Sequence, residues 1–390
     1  MGSKTLTVAF TGGGTGGHIY PGLAVADSFR QKISESGGER GPVKIIWIGS
    51  LSKMDKEIVL NSADKSGQAS VDKFYGIPSG KLRRYFSLEN FIDVFKIAAG
   101  FFAALFVLIK NRPAFLFSKG GFVSVPPCAA ARFLGVKVYT HECDFTPGLA
   151  TRINARFASK VLLTYEETRE FFPAGQSGKF TVTGNPSRPV FYEADAKAGQ
   201  KFLGISPAEK KSKPLLLVTG GSLGAAQINE LVWKNLSWLC KKFIVVHQTG
   251  QKNAALLPSD LTQEEKANYK PYAFIYKEMP DVMAAADIVV SRAGANSIWE
   301  CAVLKKPMIL IPLEGAGTRG DQVDNAEYFE RRGAAIVLTK NSMTEKSLQS
   351  ALEAMLFAEN RKKYSASCEA LLPPEKPAEK IASILAEENL

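Results

Sequence analysis

Short, continuous apolar runs recur along the chain: Thr5–Phe10, Ile45–Ile48, Phe115–Phe117, Lys137–Thr140 and Lys160–Leu163 in the first half, then Leu215–Val218, Phe243–His247, Asp287–Ser291 and Met308–Ile311 in the second. An apolar run without alternation marks a strand buried on both faces, as in a parallel sheet covered by helices. Two of these runs lead into glycine-rich turns followed by helical periodicity. The first turn is Thr11-Gly-Gly-Gly-Thr-Gly-Gly-His18 ahead of Gly22–Phe29; the second is Thr219-Gly-Gly-Ser-Leu-Gly-Ala225 ahead of Gln227–Leu236. Each reads as strand, glycine turn, helix, and each opens a series of alternating strands and helices. The pattern predicts an α/β protein of two doubly wound, Rossmann-like parallel-sheet domains, a natural division for 390 residues. Ligands are then expected beyond strand carboxyl ends and in a cleft between the domains.

Thr183-Gly-Asn-Pro-Ser-Arg-Pro189 combines two prolines and a glycine and is the expected linker and hinge, giving domains 1–186 and 187–372. Leu372-Pro-Pro-Glu-Lys-Pro377 breaks the chain again before a final helix, Ala378–Glu388. Its Ile381, Ile384 and Leu385 form an apolar stripe suited to packing 373–390 back on the first domain. Ile97–Ile109 is apolar without interruption, but about 13 residues at 1.5 Å each cover about 20 Å of a hydrocarbon core about 30 Å thick. It predicts a helix that does not span a bilayer. Two readings stand: a buried helix of the first domain, or a patch that dips into a membrane, helped by the flanking Lys81, Arg83, Arg84, Lys110 and Arg112.

Composition narrows the choice of partners. With 45% hydrophobic and 22% charged residues the chain is an ordinary globular protein, which excludes disorder, collagen-like fibres and a polytopic membrane protein. The 49 Lys+Arg against 38 Asp+Glu leave +11, a field that attracts nucleotides, lipid diphosphates or acidic membrane surfaces. Nucleic acid is disfavoured because the basic residues are dispersed, with only short runs such as Lys210-Lys-Ser-Lys213. Five scattered cysteines without a Cys-x-x-Cys pair point to reduced thiols rather than disulfides or zinc. Leu6–Phe10 is too short for a signal-peptide core, so no export is expected.

Three histidines sit at or just past strand ends: His18, His141 and His247. His18 follows a turn with glycine at five of the six positions 12–17, where backbone approaches a ligand closely, and it is the best-placed general base; the alternative is a hydrogen bond that fixes the loop. For His141 and His247 the structural role is the favoured one. A glycine turn opening a helix presents N–H groups to an oxyanion or diphosphate. A dinucleotide-dependent dehydrogenase would need a carboxylate closing the second strand, and Ile45–Ile48 runs instead into Gly49-Ser50. Ser222 is either a helix cap or a phosphate contact. Ser297 and Glu300 have capping-box spacing, with ribose binding by Glu300 as the other reading. No Asp-x-Asp and no metal-ligand spacing occurs, so leaving-group charge falls to helix N-termini and arginines such as Arg188.

Taken in order, Gly13-Gly-Thr-Gly-Gly-His-Ile-Tyr-Pro-Gly22, Lys119-Gly-Gly-Phe-Val-Ser124, His141-Glu142, Gly184-Asn-Pro-Ser-Arg188, Gly220-Gly-Ser222, Arg292-Ala-Gly-Ala295 with Glu300, and Gln322-Val-Asp-Asn-Ala326 resemble the peptidoglycan N-acetylglucosaminyltransferases of glycosyltransferase family 28 over nearly the whole chain. The resemblance implies a GT-B fold and transfer of N-acetylglucosamine from UDP-GlcNAc to the 4-hydroxyl of lipid-diphosphate-linked muramoyl-pentapeptide (lipid I), giving lipid II. It further implies inversion at the anomeric carbon, no metal or other cofactor, and a peripheral position on the cytoplasmic membrane face through 81–112. The first domain would hold the acceptor and the second UDP. Residue by residue, Thr15, Gly16 and Gly17 would meet the donor sugar and diphosphate, with His18 as base. Arg188 and Ser222 would meet the diphosphate, Tyr276 would stand where uracil is read through backbone, and Ala295, Asn296, Ser297, Ile298 and Trp299 would form the nucleotide loop. Glu300 would take the ribose and Gln322 the sugar hydroxyls. The chain differs from the family at Cys143 and Asp144, where two amides are usual, at Leu223 in place of Gln, and at Phe122 in place of Tyr. Asp144, in a sugar-binding position, accepts but cannot donate a hydrogen bond. Alternatives are a related GT-B enzyme with another acceptor, a UDP-GlcNAc epimerase, or a non-catalytic nucleic-acid binder.

Overall fold

A computed structural model describes residues 5–35, 41–80, 88–221, 224–256, 260–315 and 318–390. The chain forms two compact units, Met1–Arg188 with Pro373–Leu390, and Pro189–Leu372. The division falls two residues beyond the expected boundary. The crossing from Arg188 to Pro189 lies inside the expected linker, whereas Thr183 to Ser187 are buried in the first unit. The N–H groups of Thr183 and Gly184 bond to Leu163 O, and a Cβ on Gly184 would lie 2.9 Å from Pro377.

The first unit holds a seven-stranded sheet of β1 (Leu6–Thr11), β2 (Val43–Ser50), β3 (Lys73–Ile77), β4 (Phe115–Ser118), β5 (Lys137–Glu142), β6 (Lys160–Leu163) and β7 (Phe180–Val182), in the order β3-β2-β1-β4-β5-β6-β7. The second holds β8 (Leu215–Thr219), β9 (Ile244–Gln248), β10 (Tyr269–Tyr272), β11 (Ile288–Ser291), β12 (Met308–Leu310) and β13 (Ala335–Val337), ordered β10-β9-β8-β11-β12-β13. Every pairing is parallel. In both sheets the order reverses beside the first strand, so the turns after β1 and β4, and those after β8 and β11, flank a crevice at the strand carboxyl ends.

The apolar runs mark the nine inner strands. The strands they miss, β3, β7, β10 and β13, are the four sheet edges. β3 and β7 mix polar residues or glycine into the strand and β10 contains Pro271, which an edge tolerates, whereas β13 lies in the apolar run Ala334–Leu338 that the reading passes over. The helix after β1 also starts earlier than its periodicity suggests, at Gly16 and through Pro21 to Glu35, so His18 lies in its first turn rather than on the loop.

Two apolar layers sandwich the first sheet. One unites Phe10, Trp47, Phe115 and Phe117 with Val25 and Phe29 of helix Gly16–Glu35 and with Ile381 and Leu385 of the last helix, Pro377–Asn389. Glu388 of that helix pairs with Lys160 and accepts from Tyr139 Oη at 2.9 Å, and Lys380 donates to Val182 O at 2.9 Å. The other layer includes Ala104, Val107 and Leu108 of helix Leu88–Asn111. That helix divides by face: Gly100, Ala104, Val107 and Leu108 are buried, while Phe95, Phe102, Phe106 and Ile109 are exposed at helical spacing. The buried-helix reading of the apolar run thus holds for one face, and the other face is apolar and exposed. Lys81, Arg83 and Arg84 lie outside the described residues. Among the described residues no helix is long and apolar enough to cross a membrane.

Leu385 is fully buried and Leu390 is 41% exposed. Leu385→Ala is expected to cost about 2–5 kcal/mol of stability and Leu390→Ala under about 0.5 kcal/mol, read from urea denaturation. Equal small effects would mean that the last helix is not part of the first unit's core.

Candidate functional site

In the first unit the site is built on glycines that let two turns close on each other. The turn after β1 is locked from behind by Asp55, fully buried at the start of helix Lys53–Leu60. Its carboxylate accepts from Gly14 N–H at 3.0 and 3.1 Å and from Ser50 Oγ at 2.7 Å. A Cβ on Gly13 would lie 2.2 Å from that carboxylate, and Trp47 Nε1 donates to Gly12 O at 3.0 Å. The turn after β4 supplies Gly120 and Gly121 at φ +91° and +79°, and His18 rests on them: a Cβ at Gly121 would stand 2.9 Å from His18 Cδ2. Thr15 and Gly17 are exposed and Gly16 and His18 half-buried, with the Nδ1 atom of His18 itself buried.

His141 differs. It is buried, and its Nε2 donates to Gly184 O at 3.0 Å. Burial first, and the Lys119 ammonium second, hold it neutral, well below the usual histidine range. Glu142 accepts the N–H groups of Cys143, Asp144 and Gly148 at 2.9, 3.0 and 2.9 Å, which shapes the loop carrying Asp144. Glu142, Cys143 and Asp144 bring ligand atoms within 4.8 Å of one another. The glutamate oxygens are already committed to backbone, and burial, reinforced by the two carboxylates against Lys119, pushes the Cys143 thiol up to about 12. The Glu142 carboxylate thus shapes the loop that carries Asp144. Arg188 belongs to this unit, its guanidinium carbon 5.3 Å from the centre of the Tyr20 ring. All five cysteines are buried and unbridged.

In the second unit the turn after β8 is equally tight. A Cβ on Gly220 would meet Ala225 N at 2.3 Å, and one on Gly224 would meet Thr249 O at 2.3 Å. Helix Ala226–Lys234 follows, with no side-chain cap. Ser222 and Leu223 lie outside the described residues. Across the crevice, β11 leads through Arg292 to helix Ala295–Val303, whose N-cap is Gly294. Arg292 is fastened to Ile311 O, Pro312 O and Gln227 Oε1 at 2.9–3.1 Å. Asn296, Ile298 and Trp299 thus belong to the helix's first two turns. The capping-box reading of Ser297 and Glu300 fails, because both are inside the helix and Gly294 holds the cap position. Glu300 is 9% exposed. Gln322 lies in the first turn of helix Asp321–Arg331, and its Oε1 accepts from Leu313 N–H at 3.0 Å. Tyr276 is 65% exposed, with Oη accepting from Gln251 at 3.2 Å. His247 is buried between Tyr269 Oη and Asn229 Oδ1, both at 3.0 Å, and burial lowers it to about 3.

Asp55, which holds the first turn, and Gln248, which accepts from Ile275 N–H at 2.8 Å and donates to Gly221 O at 3.3 Å, are structural contacts that the sequence pattern does not single out. Ser52 caps the helix of Asp55, a three-residue Ser–Asp spacing that was legible. Gln248 has no local signature at all.

Comparison with known proteins identifies both units. Residues 8–163 match the glycosyltransferase family 28 N-terminal domain and residues 215–383 its C-terminal domain. A Treponema denticola protein named UDP-N-acetylglucosamine--N-acetylmuramyl-(pentapeptide) pyrophosphoryl-undecaprenol N-acetylglucosamine transferase is 50% identical, covering 97% of this chain and 96% of its own. A Bacillus cereus transferase of the same name, numbered 2, is 40% identical over 87% of this chain and 89% of its own. The crystal structure of Acinetobacter baumannii MurG is similar in fold, with TM-score 0.70 and 24% identity over 98% of this chain and 99% of that one. Two matched domains in order, and relatives this close along nearly the full length, make the chain a member of glycosyltransferase family 28.

Proposed function

We propose that this glycosyltransferase transfers N-acetylglucosamine from UDP-GlcNAc to the 4-hydroxyl of muramoyl-pentapeptide on undecaprenyl diphosphate, converting lipid I to lipid II, with inversion and without a metal. The observation that carries the reading is the His18 imidazole seated on the Gly120–Gly121 turn, at the exposed start of a helix, in a chain half identical to a transferase of that name. His18 takes the proton of the acceptor hydroxyl as its oxygen attacks the anomeric carbon from the face opposite UDP. The bond from that carbon to the diphosphate oxygen breaks, and its electron pair leaves on UDP. The departing charge is met by Arg188 and by the N–H groups that start the helices after the glycine turns. Thr15, Gly16 and Gly17 contact the sugar and diphosphate, and Asp144 lies on the acceptor side. Ser222 meets the diphosphate, Tyr276 marks the base-reading turn, the helix start at Ala295–Trp299 frames the nucleotide, Glu300 takes the ribose and Gln322 the sugar hydroxyls.

The lipid-linked acceptor also calls for a membrane-facing surface. Phe95, Phe102 and Phe106, exposed by 62–67%, with Ile109 and Lys110 beside them, form an apolar stripe edged by cation that suits the anionic cytoplasmic leaflet, where the enzyme sits as a peripheral protein.

Incubation with radiolabelled UDP-GlcNAc and a lipid I analogue should yield labelled lipid II; absence of transfer to that acceptor overturns the reading. His18→Ala is expected to lower kcat by about 100-fold or more while UDP affinity changes little, and equal losses in both would make His18 a structural residue. Glu300→Ala should raise the KM for UDP-GlcNAc by about tenfold or more, the weight of a hydrogen bond to a charged group, with kcat nearly unchanged. Phe102→Ser with Phe106→Ser should weaken sedimentation with anionic vesicles yet preserve turnover of a water-soluble acceptor; undiminished vesicle binding would remove the stripe from the membrane contact.

A further inference from the structure

We propose that Gln248 is a positioning residue that sets the spacing between the diphosphate turn and the nucleobase turn of the donor site, an inference that rests on reading the second unit as the UDP-GlcNAc site. Gln248 ends β9 and is 3% exposed. Its Oε1 accepts from Ile275 N–H at 2.8 Å, and its Nε2 donates to Thr219 Oγ1 at 3.2 Å and Gly221 O at 3.3 Å. Thr219 Oγ1 in turn accepts from Gly221 N–H at 3.2 Å. One carboxamide, with both ends used, therefore joins the glycine turn after β8 to the turn after β10 that leads into Tyr276.

Topology explains why this residue holds the position. In the order β10-β9-β8 the two turns belong to strands that are not neighbours, and β9 runs between them. A side chain at the carboxyl end of β9 can reach both turns. The same strand end is rigid. Thr249 O accepts from Asn229 Nδ2 at 2.8 Å and Asn253 Nδ2 at 3.0 Å, and Thr249 N–H donates to Tyr272 O at 2.9 Å. The base and the β-phosphate of a nucleoside diphosphate are separated by a fixed covalent length, so a protein that grips both must hold its two gripping turns at a matching distance. Gln248 sets that distance without touching the ligand.

The consequence distinguishes spacing from general damage. Uridine engages the base turn alone, whereas UDP engages both turns, so the ratio of uridine to UDP dissociation constants reports whether the turns are in register. Gln248→Met, isosteric and neutral, is expected to reduce that ratio by about tenfold through loss of the bridging hydrogen bonds, and to raise the KM for UDP-GlcNAc while kcat stays within about threefold. Thr219→Val removes one anchor but leaves Gln248 in place, and it should lower the ratio in the same direction by about threefold, which keeps the test decisive if Gln248→Met does not fold. Titration calorimetry with UDP and uridine on the full chain reads both. A wild-type ratio retained by Thr219→Val, or by a folded Gln248→Met that weakens both ligands equally, overturns the spacing role. Failure of the wild-type chain to bind UDP would instead overturn the donor-site reading.

Discussion

The reversal of strand order beside the first strand of each sheet is the constraint on which the rest of the molecule depends. Where β1 meets β4, and β8 meets β11, the chain leaves neighbouring strands toward opposite faces, so no crossover covers the strand ends between them. Backbone N–H groups at the starts of the following helices are then left pointing at open space. Such groups favour a negative charge, and a sugar nucleotide and a lipid diphosphate both carry one.

Turning that opening into a site requires turns that approach more closely than side chains allow. Gly13 touches the Asp55 carboxylate, Gly14 meets Phe122, Gly121 carries the His18 ring, and Gly220 and Gly224 pack on Ala225 and Thr249. The glycines are therefore packing residues as much as flexible ones. They allow Asp55, a buried carboxylate satisfied by Gly14 N–H and Ser50, to hold the first turn in one shape.

The three histidines show how environment separates chemistry from structure. His141 and His247 are buried, bonded to fixed partners and held neutral by desolvation, so neither exchanges a proton near neutral pH. His18 is only half-buried, at a helix start and against the Gly120–Gly121 turn. Its expected place on the loop was wrong by one helical turn: Gly16 and Gly17 weaken helical propensity, and Pro21 adds a break signal, yet the helix forms because Ile19, Leu23 and Val25 are buried against the sheet.

The amino-acid sequence by itself determined the α/β class, the nine inner strands, the paired glycine turns and the family motifs, because each leaves a local trace: a strand buried on both faces must be apolar throughout, and a turn of positive φ or close approach must be glycine. Tertiary structure alone decided the edge strands β3, β7 and β10, the burial of Thr183–Ser187, the failure of the Ser297–Glu300 capping box and the bridge made by Gln248. Those features depend on partners distant in the chain. An edge is defined by the absence of a neighbour, a helix start by where the sheet releases the chain, and a bridging amide by the two turns that folding brings to either side of it.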